Sequence, residues 1–174
     1  MQKHKIHKIS LAAIFTALIF TATYFIAIPM PAGIGFVNLG DAFVLLGAWI
    51  LGPLGCICAG VGSALADLLL GYAIYAPATF VIKALMAIAS FFIFKALKIF
   101  KNNTLKFIIS SLVTELIMVL GYFLFEGILY GFAPSALNIP FNLVQGALSL
   151  AISNIVINIL LANKTTKKFI SIIE

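Results

Sequence analysis

Long apolar segments follow one another along this chain, interrupted only by short connections that carry Pro, Gly or Lys. Several of them reach the ~20 apolar residues that a helix needs to cross the hydrocarbon core of a bilayer. The apolar runs are continuous rather than alternating, which favours helices over a barrel. We therefore predict an all-α integral membrane protein with six transmembrane helices, at about residues 9–28, 38–51, 54–70, 77–97, 105–130 and 138–162.

The composition excludes most other classes of protein. Charged residues make up 9% of the chain and hydrophobic residues 63%, whereas a soluble domain carries about a quarter charged residues. So few charges cannot cover a surface that faces water, so a soluble enzyme, a nucleic-acid binder and a disordered tail are excluded. The 174 residues fit a single membrane domain spanning 1–174.

The lysines predict the orientation. Ten of the eleven lie before the first helix, around the connection between the fourth and fifth, or after the sixth, and the chain has no arginine. Because basic residues accumulate on the cytoplasmic side, we predict cytoplasmic termini, with loops near 29–37, 71–76 and 131–137 outside. The anionic inner leaflet explains the positive charge, so no nucleic-acid partner is expected. The predicted location is a bacterial cytoplasmic membrane, crossed several times.

A cleaved signal peptide is the alternative interpretation of the N-terminus. The first apolar run has about 20 residues where a signal peptide usually has ~7–15. No small-residue cleavage site precedes Pro29. We therefore interpret this segment as the first membrane helix.

One lysine lies inside an apolar segment. Lys83 is about six residues into the fourth helix, roughly 9 Å below its outer end. A charge at that depth costs several kcal/mol unless it is paired or hydrated. Four carboxylates could pair with Lys83. By depth, Glu126 and Asp67 are the nearest expected partners. The other two are Asp41, in the first turn of the second helix, and Glu115, deeper in the fifth.

Polar residues form stripes on the last two helices. Glu115, Tyr122 and Glu126 fall on one line of the fifth helix at 100° per residue, and Asn138, Asn142, Gln145 and Ser149 form a stripe on the sixth. Stripes of this kind should face the bundle interior and line a cavity open to the outside. The alternative is that they only hold the bundle together. The candidate binding residues are Asn38, Asp41, Asp67, Lys83, Tyr122, Glu126, Asn142 and Gln145.

Small residues mark two further helix faces. In the third helix Gly55, Ala59 and Ser63 allow close helix approach, which we interpret as internal packing. In the first helix Ala13 and Ala17 form an AxxxA pair. This pair fits either internal packing or a docking face for another membrane subunit.

No catalytic or cofactor motif is present. The chain lacks the phosphate-binding G-x-x-x-x-G-K-[ST] pattern, a metal-ligand cluster and a nucleophile–base pair. Cys56 and Cys58 point to different helix faces and predict neither a disulfide nor a metal site. No cofactor is expected, and a membrane-embedded enzyme is poorly supported. An outside-open pocket without an energy source indicates a binding subunit that needs a partner.

Several segments resemble a known family. They are Gly35-Phe36-Val37-Asn38-Leu39-Gly40-Asp41-Ala42, Leu51-Gly52-Pro53-Leu54-Gly55, Gly62-Ser63-Ala64-Leu65-Ala66-Asp67-Leu68, Gly71-Tyr72-Ala73-Ile74-Tyr75-Ala76-Pro77-Ala78-Thr79 and Ile82-Lys83. Together they resemble the substrate-binding S components of energy-coupling factor (ECF) vitamin importers. The resemblance is to the riboflavin-type family, and within it to the hydroxymethylpyrimidine and pyridoxine types. Over about residues 8–100 the resemblance lies in sequence motifs. After residue 100 it lies in the arrangement of the helices.

The resemblance implies an assembly and a substrate. The S component would bind a small water-soluble vitamin or precursor, of the pyridoxine or hydroxymethylpyrimidine type or riboflavin, under the loop Pro29–Val37. Ala13 and Ala17 would dock onto a transmembrane coupling subunit, and two ATPase subunits would complete an ABC-type importer. The alternative function is a self-sufficient proton-coupled transporter that uses Glu115 and Glu126 as proton sites.

The orientation can be tested with single cysteines. Cysteines at Gly33 and Pro134 should react with an impermeant thiol reagent in intact cells, and a cysteine at Asn102 should not, because the lysines place residue 102 inside. Labelling at residue 102 in intact cells would contradict the topology.

Overall fold

Six helices and one short hairpin make up the part of the chain that the computed structural model describes, residues 2–30 and 34–166, with side chains from residue 6 onward. Their bounds are α1 Gln2–Phe25, β1 Ile28–Pro29, β2 Phe36–Val37, α2 Gly40–Leu51, α3 Leu54–Leu69, α4 Ala76–Ala96, α5 Asn103–Tyr130 and α6 Phe132–Ala162.

The short helix α2 lies at the centre of the bundle. It packs against α1, α3, α4 and α6, and every residue of it except Phe43 is buried. The other helices form an arc around it, in which α1 contacts α3, α3 contacts α4, α4 contacts α5 and α5 contacts α6. The core therefore consists largely of α2 side chains such as Val44 and Leu45, together with Ile19, Met86 and Met118 from the surrounding helices.

The arc of helices presents apolar side chains outward. On α5 an i, i+4 row is about half exposed, with Leu112 at 53%, Leu116 at 46%, Leu120 at 59% and Leu124 at 54%. Such a face is suited to lipid and not to water. Among the described residues four helices, α1, α4, α5 and α6, are long and apolar enough to cross a membrane, and α2 and α3 are shorter apolar helices.

The two ends of the bundle differ in their connections. We call one end the hairpin end. It carries the β1–β2 hairpin, the α3–α4 connection and Gly131, and the Phe36 ring of the hairpin packs 5.1 Å from the ring of Tyr72 in the α3–α4 connection. We call the other end the lysine end, and it carries the Gly52–Pro53 turn and the α4–α5 connection. There the Phe107 ring lies 4.6 Å from the rings of both Trp49 and Phe94.

The predicted helix bounds need correction at three places. The first helix begins at Gln2, seven residues before the predicted start at residue 9. It ends at Phe25, because the chain turns there into the antiparallel pairs Ile28–Val37 and Pro29–Phe36. The expected loop at 131–137 is helix from Phe132 onward. Gly131 makes the turn alone with φ +92°, a backbone conformation suited to glycine. Pro134 is tolerated because first-turn N–H groups need no intrahelical partner.

The small residues of α3 serve internal packing, as predicted. A Cβ added to Gly55 would lie 2.7 Å from the Gly47 backbone oxygen in α2, and one added to Gly62 would lie 2.7 Å from the Thr16 oxygen in α1. By contrast Ala13 and Ala17 are exposed on the face of α1 that points away from the buried Phe15 and Ile19. This AxxxA pair is therefore not used for packing within the described chain.

Candidate functional site

A cavity of about 380 Å³, its open mouth included, lies below the hairpin near the hairpin end of the bundle. The free space inside it is about 20 Å³, roughly enough for one water molecule, so a larger ligand requires the cavity to open. The hairpin, the segment before α2, and helices α1, α3, α4, α5 and α6 bring side chains to it. The lining residues are Thr23, Met30, Gly35, Phe36, Asn38, Ser63, Asp67, Tyr75, Thr79, Lys83, Tyr122, Glu126, Asn142 and Gln145.

The floor of the cavity is a buried ion pair. Lys83 on α4 is 1% exposed, and its Nζ donates to Asp41 Oδ1 on α2 at 2.5 Å. The other Asp41 oxygen, Oδ2, accepts a hydrogen bond from Gln145 Nε2 on α6 at 2.6 Å. Both carboxylate oxygens are thus satisfied, as a buried charge requires. The network joins α4 and α6 to the central α2.

The start of α2 is tied into the same network. The backbone N–H of Asn38 donates to Gln145 Oε1 at 2.8 Å, and the Asn38 side-chain oxygen accepts from the Gly40 N–H at 2.9 Å. Gly40 has no room for a side chain, since an added Cβ would lie 2.0 Å from Thr23 Oγ1. These contacts of the Asn38–Asp41 segment therefore fix the start of α2 directly below the cavity.

The partner of Lys83 differs from the one that the depth argument favoured. Glu126 and Asp67 were expected, but the ammonium pairs with Asp41. Counting residues from the helix ends assumes that all helices begin at the same height. Helix α2 instead begins below the hairpin, so its first-turn carboxylate lies deeper than its position in the sequence indicates. Glu126 belongs to a separate cluster.

That second cluster holds the hairpin against α5 and α6. Asn138 Nδ2 donates to Glu126 Oε2 at 2.9 Å and to the backbone oxygen of Ile34 at 3.0 Å. Gly35 follows with φ +77°, and an added Cβ there would lie 3.1 Å from Met30 Cε and 3.5 Å from Glu126 Oε1. Met30, only 6% exposed, closes the cavity from the hairpin side.

Aromatic groups form the wall beside Lys83. The Tyr122 ring centroid lies 5.3 Å from Lys83 Nζ, within the range of a cation–π contact. The Tyr122 hydroxyl exchanges a 3.0 Å hydrogen bond with Thr79 Oγ1. Thr79 lies four residues before Lys83 and therefore on the same face of α4. This wall offers one flat apolar surface next to a fixed cation.

Four polar atoms of the cavity lining have no hydrogen-bond partner among the described residues: Thr23 Oγ1, Ser63 Oγ, Asp67 Oδ2 and the Tyr75 hydroxyl. All four side chains are at most 5% exposed. Buried polar groups are paired in the great majority of cases, and leaving one unpaired costs about 1–3 kcal/mol. Their convergence on one cavity is the arrangement expected of groups that hydrogen-bond to a ligand.

The structure brings the eight predicted binding residues together. Asp41 supports the floor from behind Lys83, and the other seven line the cavity. The sequence interpretation did not include Thr23, Tyr75 or Thr79, and it assigned Ser63, which also lines the cavity, to helix packing. Thr79 could have been found from its i−4 spacing to Lys83, whereas Thr23 and Tyr75 enter only through the tertiary fold.

The polar stripes of α5 and α6 face inward, as predicted. Glu126 is 1% exposed, and Asn142, Gln145 and Ser149 are at most 4% exposed. Glu115 is 5% exposed, but it lies outside the cavity lining and neither of its carboxylate oxygens has a hydrogen-bond partner among the described residues. Its Oε2 would lie 3.2 Å from a Cβ added to Gly146. Within the described ranges no three His, Cys, Asp or Glu side chains form a metal-ligand group.

An apolar helix bundle with a polar, lidded cavity near one end defines a membrane-embedded binding protein. Comparisons with known proteins agree. The chain matches the family described as "ECF-type riboflavin transporter, S component" over residues 3–167. A solved S component of a bacterial ECF transporter superposes with a TM-score of 0.69 at 23% identity, covering 91% of this chain and 97% of that one. An uncharacterized protein of Pyrococcus woesei is 36% identical over 110 residues, 63% of this chain and 71% of the relative.

The chain therefore belongs to the S-component family of ECF-type transporters. It has the S-component fold. It is a membrane protein, a transporter component and not an enzyme. The family is one of vitamin-type substrate-binding subunits, which does not favour the alternative of a self-sufficient proton-coupled transporter.

The buried ion pair predicts a specific stability pattern. Lys83→Met alone should lower the free energy of unfolding by about 3–5 kcal/mol, because it leaves the Asp41 carboxylate buried without its counter-charge. Adding Asp41→Leu should recover most of the lost stability, since an apolar pair of similar volume removes the uncompensated charge. Thermal unfolding in detergent measures both.

Lys98→Met is the matched control, because Lys98 is exposed in the α4–α5 connection; it should leave the unfolding midpoint nearly unchanged. A double variant that is no more stable than Lys83→Met would contradict the assigned role of the pair.

Proposed function

We propose that this chain is the high-affinity binding subunit of an ECF-type ABC importer for a small water-soluble vitamin or precursor with a pyridine or pyrimidine ring. The observation that carries the proposal is the convergence of Thr23, Ser63 and Asp67 on the cavity beside Lys83, each with a buried polar atom that has no partner among the described residues. A hydroxylated heteroaromatic ring supplies donors and acceptors for such groups around its edge. Its flat face fits against the Tyr122 ring.

The size of the ligand determines how far the cavity must open. The free space inside it is about 20 Å³, so a single substituted ring requires less movement of the hairpin than the three fused rings and ribityl chain of riboflavin. Riboflavin stays a test ligand, because the matching family carries its name. A thermal-shift screen of the purified protein against pyridoxine, hydroxymethylpyrimidine and riboflavin, each with calorimetric follow-up, decides the substrate class.

The topology belongs to the same proposal. Six crossings require α2 and α3 to span together with their turns, and the lysine end then faces the cytoplasm. The hairpin end, with the cavity, faces outside in the cytoplasmic membrane. Opening the hairpin breaks the Asn138–Ile34 hydrogen bond and withdraws Met30, which provides a route for the ligand.

Asn142 offers a clean test of the site. It lines the cavity at 4% exposure and is outside the hydrogen-bond networks described above, so Asn142→Leu should leave the ligand-free protein as stable as before. Losing one buried hydrogen bond should weaken binding of the vitamin about tenfold. Isothermal titration of the folded variant measures this.

Asn103→Leu makes the same change at an exposed position of the lysine end and serves as the matched control. It should keep wild-type affinity. Equal affinity of Asn142→Leu and wild type would remove Asn142, and this part of the cavity, from the binding site.

Assembly provides the second test. We propose that Ala13 and Ala17 dock onto the transmembrane coupling subunit of a module with two ATPases, since both are exposed and small and allow close helix approach. Ala13→Trp and Ala17→Trp should leave vitamin binding intact, reduce co-purification of the module and abolish ATP-driven uptake into vesicles.

Ile14→Trp, on the neighbouring exposed face of α1, is the matched control and should assemble normally. Wild-type assembly and uptake in both Ala variants would show that docking occurs elsewhere. Gradient-driven uptake by the chain without any partner would overturn the importer proposal itself.

A further inference from the structure

A large groove at the lysine end lies apart from the vitamin cavity. It runs between α1, the Gly52–Pro53 turn and α4, and its volume is about 1100 Å³ with the open mouth included. Its wall is aromatic, with Trp49, Phe91, Phe92 and Phe94, and two lysines, Lys8 and Lys95, complete it. Phe92 is 58% exposed, so the groove opens toward the lipid-facing side of the bundle.

Among the described residues, no carboxylate forms an ion pair with the lysines of this groove. The described acidic residues, Asp41, Asp67, Glu115 and Glu126, are all buried inside the bundle, and within the described ranges the ion pair is Lys83–Asp41. Lys95 Nζ instead lies 4.5 Å from the centroid of the Phe91 ring. Lys95 is exposed and Lys8 half-buried, so both ammonium groups can reach an anion in the groove.

Trp49 supplies a third polar group. Its side chain lines the groove at 6% exposure, and its indole Nε1 has no acceptor among the described residues. A buried N–H without an acceptor costs about 1–3 kcal/mol, and a Trp at a membrane interface usually finds a polar partner. The groove therefore combines two cations and a donor with an apolar aromatic surface.

We propose that this groove binds an anionic phospholipid of the leaflet at the lysine end. The phosphate lies between Lys8 and Lys95, an oxygen of the phosphate or glycerol ester accepts from the Trp49 indole, and an acyl chain packs on the phenylalanine rings. A free inorganic anion gains nothing from the aromatic wall, and a zwitterionic lipid gains little from two unpaired cations. The proposal rests on the membrane placement proposed above, but not on which vitamin is bound.

Native mass spectrometry of the detergent-purified protein tests this, with phosphatidylglycerol and phosphatidylcholine of identical acyl chains as probes. Wild type should retain phosphatidylglycerol preferentially. Lys8→Gln/Lys95→Gln should lower phosphatidylglycerol retention about tenfold or more, to the level of phosphatidylcholine, since each lysine near the surface contributes ~1 kcal/mol toward an anionic lipid. Trp49→Phe keeps the ring surface and should lower retention by a smaller factor.

The matched control is Lys98→Gln/Lys101→Gln, which removes the same charge from exposed positions of the α4–α5 connection and should retain phosphatidylglycerol like wild type. Circular dichroism and sizing verify that each variant is folded.

Three results would overturn the proposal. Equal loss in both double variants would indicate diffuse attraction to a basic end. Displacement of the lipid by excess inorganic phosphate would indicate a free-anion site. Unchanged lipid preference in Lys8→Gln/Lys95→Gln, together with loss of the coupling module on co-purification, would assign the groove to a protein partner.

Discussion

The rest of the structure depends on a single ammonium group that is buried in an apolar bundle. Lys83 is the largest fully buried side chain in the described part of the chain, and it is tolerable only because Asp41 faces it at 2.5 Å. Asp41 in turn needs Gln145 to satisfy its second oxygen, and Gln145 also receives the Asn38 N–H. Each step fixes one more helix, so the charge that is most costly to bury determines how α2, α4 and α6 meet.

The same constraint explains why α2 is short and central. A helix of 12 residues is about 18 Å long and cannot cross a ~30 Å hydrocarbon core alone. It begins at the cavity floor, and the hairpin occupies the space above it with Met30 and Gly35. A longer second helix would occupy the space that the cavity and the hairpin take above α2.

The sequence predicts features that depend on composition and periodicity, and fails where height within the bundle matters. The helical class, the inward polar stripes and the internal packing of Gly55 follow from apolar runs and 100° phasing, and the structure has all three. The predicted partner of Lys83 was wrong, because no local signal in the sequence reveals that α2 begins below the hairpin. The start of α6 was predicted at residue 138 and lies at Phe132, and Pro134 gives no signal of this, since a proline in a first turn looks the same in sequence as one in a loop.

The polar groups divide into those that hold the bundle and those that are left for a ligand. Asp41, Gln145 and Asn138 satisfy one another or the backbone, so a structural role accounts for them fully. Thr23, Ser63 and Asp67 each have a polar atom that nothing in the described chain satisfies. If the polar residues served only to join helices, selection for stability would favour pairing or replacing these three as well. Under the proposed function these three groups bind the ligand, which would place its recognition on α1 and α3 as much as on the Lys83 helix.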